Sequence, residues 1–206
     1  KDNIRRTIEL SPESVTIYQM ELPFNTVYSK DMLSNHSEAP VADWATKRRW
    51  VKEAFATLEQ AGYTVASAYT AVKDKNRTRF VYRDQLWAGA DLASIGVASF
   101  GHIGGTHYQN RHDFDTYLAP LQEGRLPVYR ALTPTADERL IREFILQLKL
   151  GRLSLGYFRE KFGVDPALRF AAPLGQLQDA GPLTREDDAL VLTRDALLQV
   201  DRLLQE

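Results

Sequence analysis

Two hydrophobic periodicities alternate along the first 130 residues. Apolar residues at Trp44, Ala45, Trp50, Val51, Ala54, Phe55 and Leu58 recur with helical spacing, and Gly62 stands where a left-handed cap would close that helix. On either side lie β-branched and aromatic runs. Ser14 to Leu22 ends at Pro23, and Tyr63 to Val72 ends at the charged turn Lys73 to Arg79; both read as buried strands. Strand, long helix, strand is the rhythm of a parallel sheet. Ile4 to Ile8 reads as the tail of a helix, residues 25–40 as a polar loop, and Leu92 to Phe100 as a further short strand. Phe114, Tyr117, Leu118 and Leu121 fall on one face of a helix over 113–123, stopped by Gly124 and Pro127.

A boundary is expected at Arg130 to Pro134, after which the pattern becomes mainly helical. Thr135-Ala136-Asp137-Glu138 has the form of an N-cap followed by an acidic first turn, leading into the stripe Leu140, Ile141, Phe144, Ile145 and Leu148. Ser154 to Phe162 reads as a short helix closed by Gly163, and Pro166 to Ala180 as another. Leu183 and Ala189 to Leu192 suggest two small strands, and Thr193 to Val200 a closing helix. Helices followed by a two-strand ribbon is the plan of a winged helix.

Composition narrows the function classes. The chain has 206 residues, 44% of them hydrophobic and 26% charged, enough for a sizeable core. The 26 Lys and Arg nearly balance 27 Asp and Glu, so there is no chain-wide attraction to nucleic acid or an anionic membrane. No apolar run approaches the roughly 20 residues that span a bilayer, and Lys1-Asp2-Asn3 does not read as a signal peptide; a cytoplasmic location is expected. With no cysteine, the chain has no disulfide, no thiol nucleophile and no thiolate for zinc or an iron–sulfur cluster.

The densest segment is Tyr82 to Asn110, in which glycines, aromatics and histidines crowd together. Val97-Ala98-Ser99-Phe100, bracketed by Gly96 and by Gly101, Gly104 and Gly105, reads as a buried strand opening into a loop where the backbone closely approaches something. Gly101-His102-Ile103-Gly104-Gly105 could cradle an anion on its amides, but it lacks the Lys-Ser/Thr of a phosphate loop. His102, His107 and His112 lie five residues apart, a spacing that matches no metal motif; contacts within a loop or to a substrate are the plainer reading. Glu21, at the end of a strand, sits either at a ligand or in a salt bridge. Lys47, Arg48 and Arg49 read as a solvated face, and Trp44 and Trp50 as packing residues. The tail carries more Asp and Glu than Arg, which argues against DNA binding.

Several segments, taken in order, resemble a known family. They are Ser14 to Thr26, Gln60-Ala61-Gly62-Tyr63, Gly89-Ala90-Asp91-Leu92 through Gly101 with Gln109-Asn110 behind it, Tyr117 with Gly124-Arg125-Leu126-Pro127, Arg142-Glu143-Phe144, and Leu192 to Leu198. As a set they resemble the C-terminal half of radical S-adenosylmethionine enzymes of the oxygen-independent coproporphyrinogen III oxidase type. Phe80 to Asp84 and Ala98 to His102 look closer to the branch that processes haem anaerobically. Where haem-chaperone relatives carry His-Asn-x-x-Tyr-Trp, this chain has Tyr82-Arg83-Asp84-Gln85-Leu86-Trp87 and keeps only the Trp.

The resemblance implies an α/β fold in which residues 1–130 supply the C-terminal strands and helices of a partial (β/α) barrel. Residues 131–206 would then form a mainly helical, winged-helix-like module. It implies a parent oxidoreductase acting on a porphyrin, through decarboxylating oxidation of coproporphyrinogen III or anaerobic processing of heme. The parent's 4Fe-4S cluster would sit on a Cys-x-x-x-Cys-x-x-Cys loop in an N-terminal segment, so this cysteine-free chain is expected to be inactive alone, with no catalytic or metal-ligating residue of its own. By position, Gln19, Glu21, Ser99 and Phe100 would line the S-adenosyl-L-methionine end of the barrel. Tyr82, Arg83, Trp87 and His102 would face the tetrapyrrole, with Arg83 pairing to a propionate through its planar fork. The partners implied are porphyrin or heme and the cluster-bearing segment, with neither nucleic acid nor membrane. The contrasting class is a non-catalytic haem-binding or haem-handing module.

Overall fold

The computed structural model describes residues 2–20, 26–27, 29–30, 34 and 41–204. Two compact units divide the chain: residues 1–79 with 193–206, and residues 80–192. The fold is mixed α/β, and its three small sheets are all antiparallel among the described residues.

In the first unit α1 (Asp2–Leu10) leads into β1 (Ser14–Thr16), then α2 (Trp44–Gln60), β2 (Thr64–Val65) and β3 (Thr70–Val72). Asp43 caps α2 by accepting from the Thr46 amide at 2.7 Å, and Gly62 ends it at φ +90°. Among the described residues these two runs do not form the expected parallel sheet. Tyr63 to Val72 is two strands, because the chain reverses between Ala66 and Tyr69: the amides of Ala66 and Ser67 donate to the Thr70 carbonyl at 2.8 and 3.2 Å, and the Tyr69 amide donates to Ser67 Oγ at 3.3 Å. A buried serine makes this turn without the glycine or asparagine that would have announced it. β3 returns between β1 and β2, antiparallel to each. The first strand ends at Thr16, the Ile17 amide still donates to the Tyr69 carbonyl at 2.8 Å, and Tyr18 is 72% exposed. Most of the expected loop 25–40, and Glu21, lie outside the described residues.

The second unit opens with α3 (Val81–Trp87), a short helix on residues whose aromatic content gave no helical period. β4 (Phe100–Ile103) and β5 (Thr106–Asn110) form a hairpin whose two-residue turn is Gly104-Gly105, at φ +57° and +77°; left-handed backbone at both positions is what such a turn demands. The strand expected at Leu92 to Phe100 is displaced to Phe100–Ile103. Leu92 bridges to His102, the Ala98 amide donates to the Arg111 carbonyl at 2.8 Å and the Ser99 carbonyl accepts from the Asn110 amide at 2.9 Å, while the residues between Leu92 and Ala98 form a loop, with Ala98 at φ +57°. α4 (Phe114–Gln122) is capped by Asp113 and followed by Gly124 at φ +71°, and β6 (Val128–Leu132) completes the sheet in the order β4-β5-β6.

α5 (Ala136–Leu148) starts on a full capping box, in which Glu138 N–H donates to Thr135 Oγ1 at 3.2 Å and Thr135 N–H donates to Glu138 Oε2 at 2.7 Å. β7 (Arg152–Ser154), α6 (Leu155–Phe162), α7 (Pro166–Arg169), α8 (Ala171–Asp179), β8 (Leu183–Glu186) and β9 (Ala189–Leu192) follow, and the sheet runs β7-β9-β8. The ribbon β8–β9 was expected; its third strand, β7, was not. Leu140, Phe144, Leu148, Leu153, Leu155, Phe158, Leu174, Leu183 and Leu190 are buried here.

The chain then returns to the first unit with α9 (Arg194–Leu197), capped by Thr193, and α10 (Val200–Leu203). Leu198, between them, joins Val51, Phe55, Leu58, Tyr63 and Ala71 in that unit's core.

Candidate functional site

The glycine-rich stretch is occupied by side chains of its own unit. Tyr108 Oη accepts from the Ser94 amide at 2.9 Å, Tyr117 Oη from the Gly96 amide at 3.0 Å, and Asp91 Oδ1 from the Gly104 amide at 2.9 Å. Of the 101–105 amides that might have cradled a phosphate, those of His102 and Gly104 are thus already bonded, to the Leu92 carbonyl and to Asp91. Asn110, buried at the end of β5, donates to the Gly96 carbonyl at 3.1 Å, and Gln109 donates to the Ala98 carbonyl at 3.2 Å while its Oε1 accepts from Arg130 at 2.8 Å. The Gln109-Asn110 pair therefore sets the path of the loop before β4. A β-carbon at Gly101 would overlap the Tyr108 ring, so this glycine is there to admit an aromatic side chain.

A cleft of about 370 Å³ opens beside the hairpin, lined by Gly89, His102, Gly105, Ala136, Arg139, Arg142, Glu143, Lys161 and Phe162. Glu143 is 5% exposed. Lys161 Nζ donates to its two oxygens at 2.8 and 3.0 Å, and Tyr157 Oη donates to Oε2 at 2.7 Å. Lys161 also donates to the Ala88 carbonyl at 2.7 Å. Gly89 makes this arrangement possible: it sits at φ +79°, and a β-carbon there would overlap the Glu143 carboxylate. Burial and the bond to Glu143 raise the Tyr157 phenol above its ordinary pKa. Burial works against the charge on Lys161, but hydrogen bonds to Glu143 and Tyr157 outweigh it and hold the amine above its usual value. Burial lowers Arg142, with Glu143 opposing. This network was missed in the sequence, although a glutamate three residues after buried Leu140 and a Tyr157–Lys161 pair one helical turn apart were its signals.

His102, 6% exposed, places Nδ1 3.4 Å from the Ala90 carbonyl, and its ring lies 4.6 Å from that of the cross-strand His107. His112 instead packs edge-on against Tyr129, so the three histidines do not converge; no group of three potential metal ligands occurs among the described residues. Arg83 lies over Phe80 and Trp87 at 5.4 and 5.1 Å and pairs with Asp84 at 2.7 Å, its side chain 11% exposed. Tyr82, on the same helix, is exposed. Ser99 Oγ donates to the Ile95 carbonyl at 2.8 Å. Phe100, expected in a buried strand, is 65% exposed. Gln19 lies in the first unit, where Nε2 donates to the Leu198 carbonyl at 3.4 Å and Oε1 is buried with no hydrogen-bond partner among the described residues. Glu21 is outside the described residues.

Residues 135–198 match the HemN C-terminal domain. Beyond that domain, the chain is similar to the C-terminal region of oxygen-independent coproporphyrinogen III oxidases. It is 32% identical over 117 residues to the oxygen-independent coproporphyrinogen III oxidase of Helicobacter pylori, covering 54% of this chain and 25% of that protein. The Salmonella typhimurium oxidase is 23% identical over 209 residues, covering 96% of this chain and 44% of the relative. The fold is similar to that of the Escherichia coli coproporphyrinogen III oxidase HemN, a radical SAM enzyme, with a TM-score of 0.75 at 18% identity over 98% of this chain and 49% of the other. The chain thus spans half or less of the length of these relatives. Without cysteine, it cannot supply the thiolates of an iron–sulfur cluster.

Proposed function

We propose that this chain is the C-terminal portion of a cytoplasmic radical S-adenosylmethionine enzyme acting on a porphyrin, through decarboxylating oxidation of coproporphyrinogen III or anaerobic processing of haem. The observation that carries this reading is the end-to-end correspondence with the Salmonella oxidase, over 96% of the chain. In this reading residues 1–130 continue a partial barrel and 131–206 form a winged-helix-like module. The helix–strand–helix–helix–helix–strand–strand order from α5 to β9 supports the latter. The cluster comes from a cysteine-bearing segment, and the radical step requires it.

Within this chain, Gln19, Glu21, Ser99 and Phe100 serve the S-adenosylmethionine end. The unpartnered buried oxygen of Gln19 fits a polar ligand. Tyr82, Arg83, Trp87 and His102 serve the tetrapyrrole, Tyr82 offering an exposed ring for stacking and Arg83 exchanging Asp84 for a propionate. Assays of the full-length enzyme carrying Arg83→Ala or Tyr82→Ala test the assignment, with weaker porphyrin binding and slower turnover expected. Unchanged binding and turnover remove these residues from the site. Titration with haem tests the competing, non-catalytic class: a Soret shift abolished by His102→Ala, in an enzyme without turnover, would replace catalysis by haem handing.

A further inference from the structure

The cleft beside the hairpin is out of electrostatic balance. Among the described residues that line it, the one carboxylate, Glu143, is committed to Lys161 and Tyr157. Two guanidinium groups remain. Neither Arg139 nor Arg142 has an ion pair or hydrogen bond among the described residues, although Arg142 is half-buried and desolvated enough to lower its pKa. Arg139 lies against bare backbone, since a β-carbon at Gly105 would come within 2.8 Å of its Nη1. The first turn of the 13-residue helix α5 faces the same space through Ala136, and its amide ends favour negative charge. Arg139 is exposed, but half-burying Arg142 beside a carboxylate already bonded to Lys161 and Tyr157 is costly, and a volume of about 370 Å³ is at the small end for an organic ligand.

We propose that this cleft binds the carboxylate group of an organic anion, held by Arg142 at depth and by Arg139 at the Gly105 side. The planar guanidinium fork matches a carboxylate in two parallel hydrogen bonds. Glu143 lines the same wall, so a phosphate, with more charge to set against it, is disfavoured. The carboxylate belongs either to a small free diacid or to an acidic side chain of the tetrapyrrole; the second source rests on the function proposed above, and the first does not.

Calorimetric titration of the chain with succinate, inorganic phosphate, coproporphyrin III and octaethylporphyrin, which lacks carboxylates, separates the cases. Arg142→Met is expected to weaken whichever carboxylate ligand binds by about tenfold and Arg139→Met by less, the scale of one charged hydrogen-bond partner; Arg142→Lys should recover part of the loss. Circular dichroism and thermal unfolding check that each variant is folded. Binding of succinate alone supports the cleft as a diacid site and separates it from the porphyrin reading. Coproporphyrin binding that exceeds that of octaethylporphyrin and falls in Arg142→Met supports the tetrapyrrole source. Coproporphyrin bound equally by the chain and by Arg142→Met overturns this site while leaving the proposed function standing. No carboxylate binding, or phosphate bound more tightly than succinate, also overturns it.

Discussion

Glu143 sits on the buried side of α5 and owes its place to Lys161 and Tyr157, which satisfy both its oxygens. Removing Lys161 alone leaves an under-paired buried carboxylate, so Lys161→Met should destabilise the second unit by about 1–3 kcal/mol. The double variant Lys161→Met with Glu143→Leu should cost less than the sum of the two single changes, as measured by denaturant unfolding; strict additivity would remove the coupling. His107 carries a second expectation. Burial depresses its imidazolium, and Arg142 and His102 add repulsion, holding its pKa below 6.5. The unfolded chain therefore takes up this proton first as pH falls through 6.5, and stability present above that pH is lost progressively down to the folded pKa. Histidine NMR titration should find His107 below the ordinary value, and Arg142→Met should move it upward. A His107 pKa that does not respond to Arg142→Met would show that the two charges do not face each other.

Most helix starts were legible because their signals are local, although the helix expected over Pro166 to Ala180 is two, α7 and α8, and the closing helix expected over Thr193 to Val200 ends at Leu197, with α10 following. Thr135 caps α5 as expected, and Asp43, Asp113, Ser154 and Thr193 cap α2, α4, α6 and α9. The box at Thr135 should be worth about 1 kcal/mol, so Thr135→Ala should lower the unfolding temperature measurably and Thr135→Ser should not. Strands were less legible, for two different reasons. In Tyr63 to Val72 the reversal rests on Ser67 bonding local backbone, which leaves no punctuation in a β-branched run. At 92–99 a glycine-rich apolar run has strand composition, yet its path is set by Tyr108, Gln109, Asn110 and Tyr117, further along the chain. The same non-locality hid the cleft: Arg142 and Glu143 could be picked out as part of a family pattern, but their pairing with Lys161 and approach to Gly89 depend on tertiary packing.

At the scale of the whole chain, the two units differ in how they use the termini. Residues 80–192 are continuous in sequence, whereas the first unit closes only when 193–206 returns to it. That return is specific. Leu198 enters the core with Phe55 and Leu58, Tyr69 donates to Asp201 at 2.6 Å, Lys52 pairs with Asp195 at 2.7 Å, and Arg194 reaches Glu59 at 3.3 Å. The exposed pairs contribute little, but loss of buried Leu198 alone removes about 1.5–3 kcal/mol, a large share of a domain's typical stability of about 5–15 kcal/mol. A chain ending at Leu192 should therefore lose hydrogen-exchange protection in α2 and β3 while α5, α6 and β9 keep theirs. Leu198→Ala should do the same in milder form, raising exchange in α2 before any change in the second unit. Protection in α2 that survives removal of 193–206 would mean that the first unit's core closes without its C-terminal return.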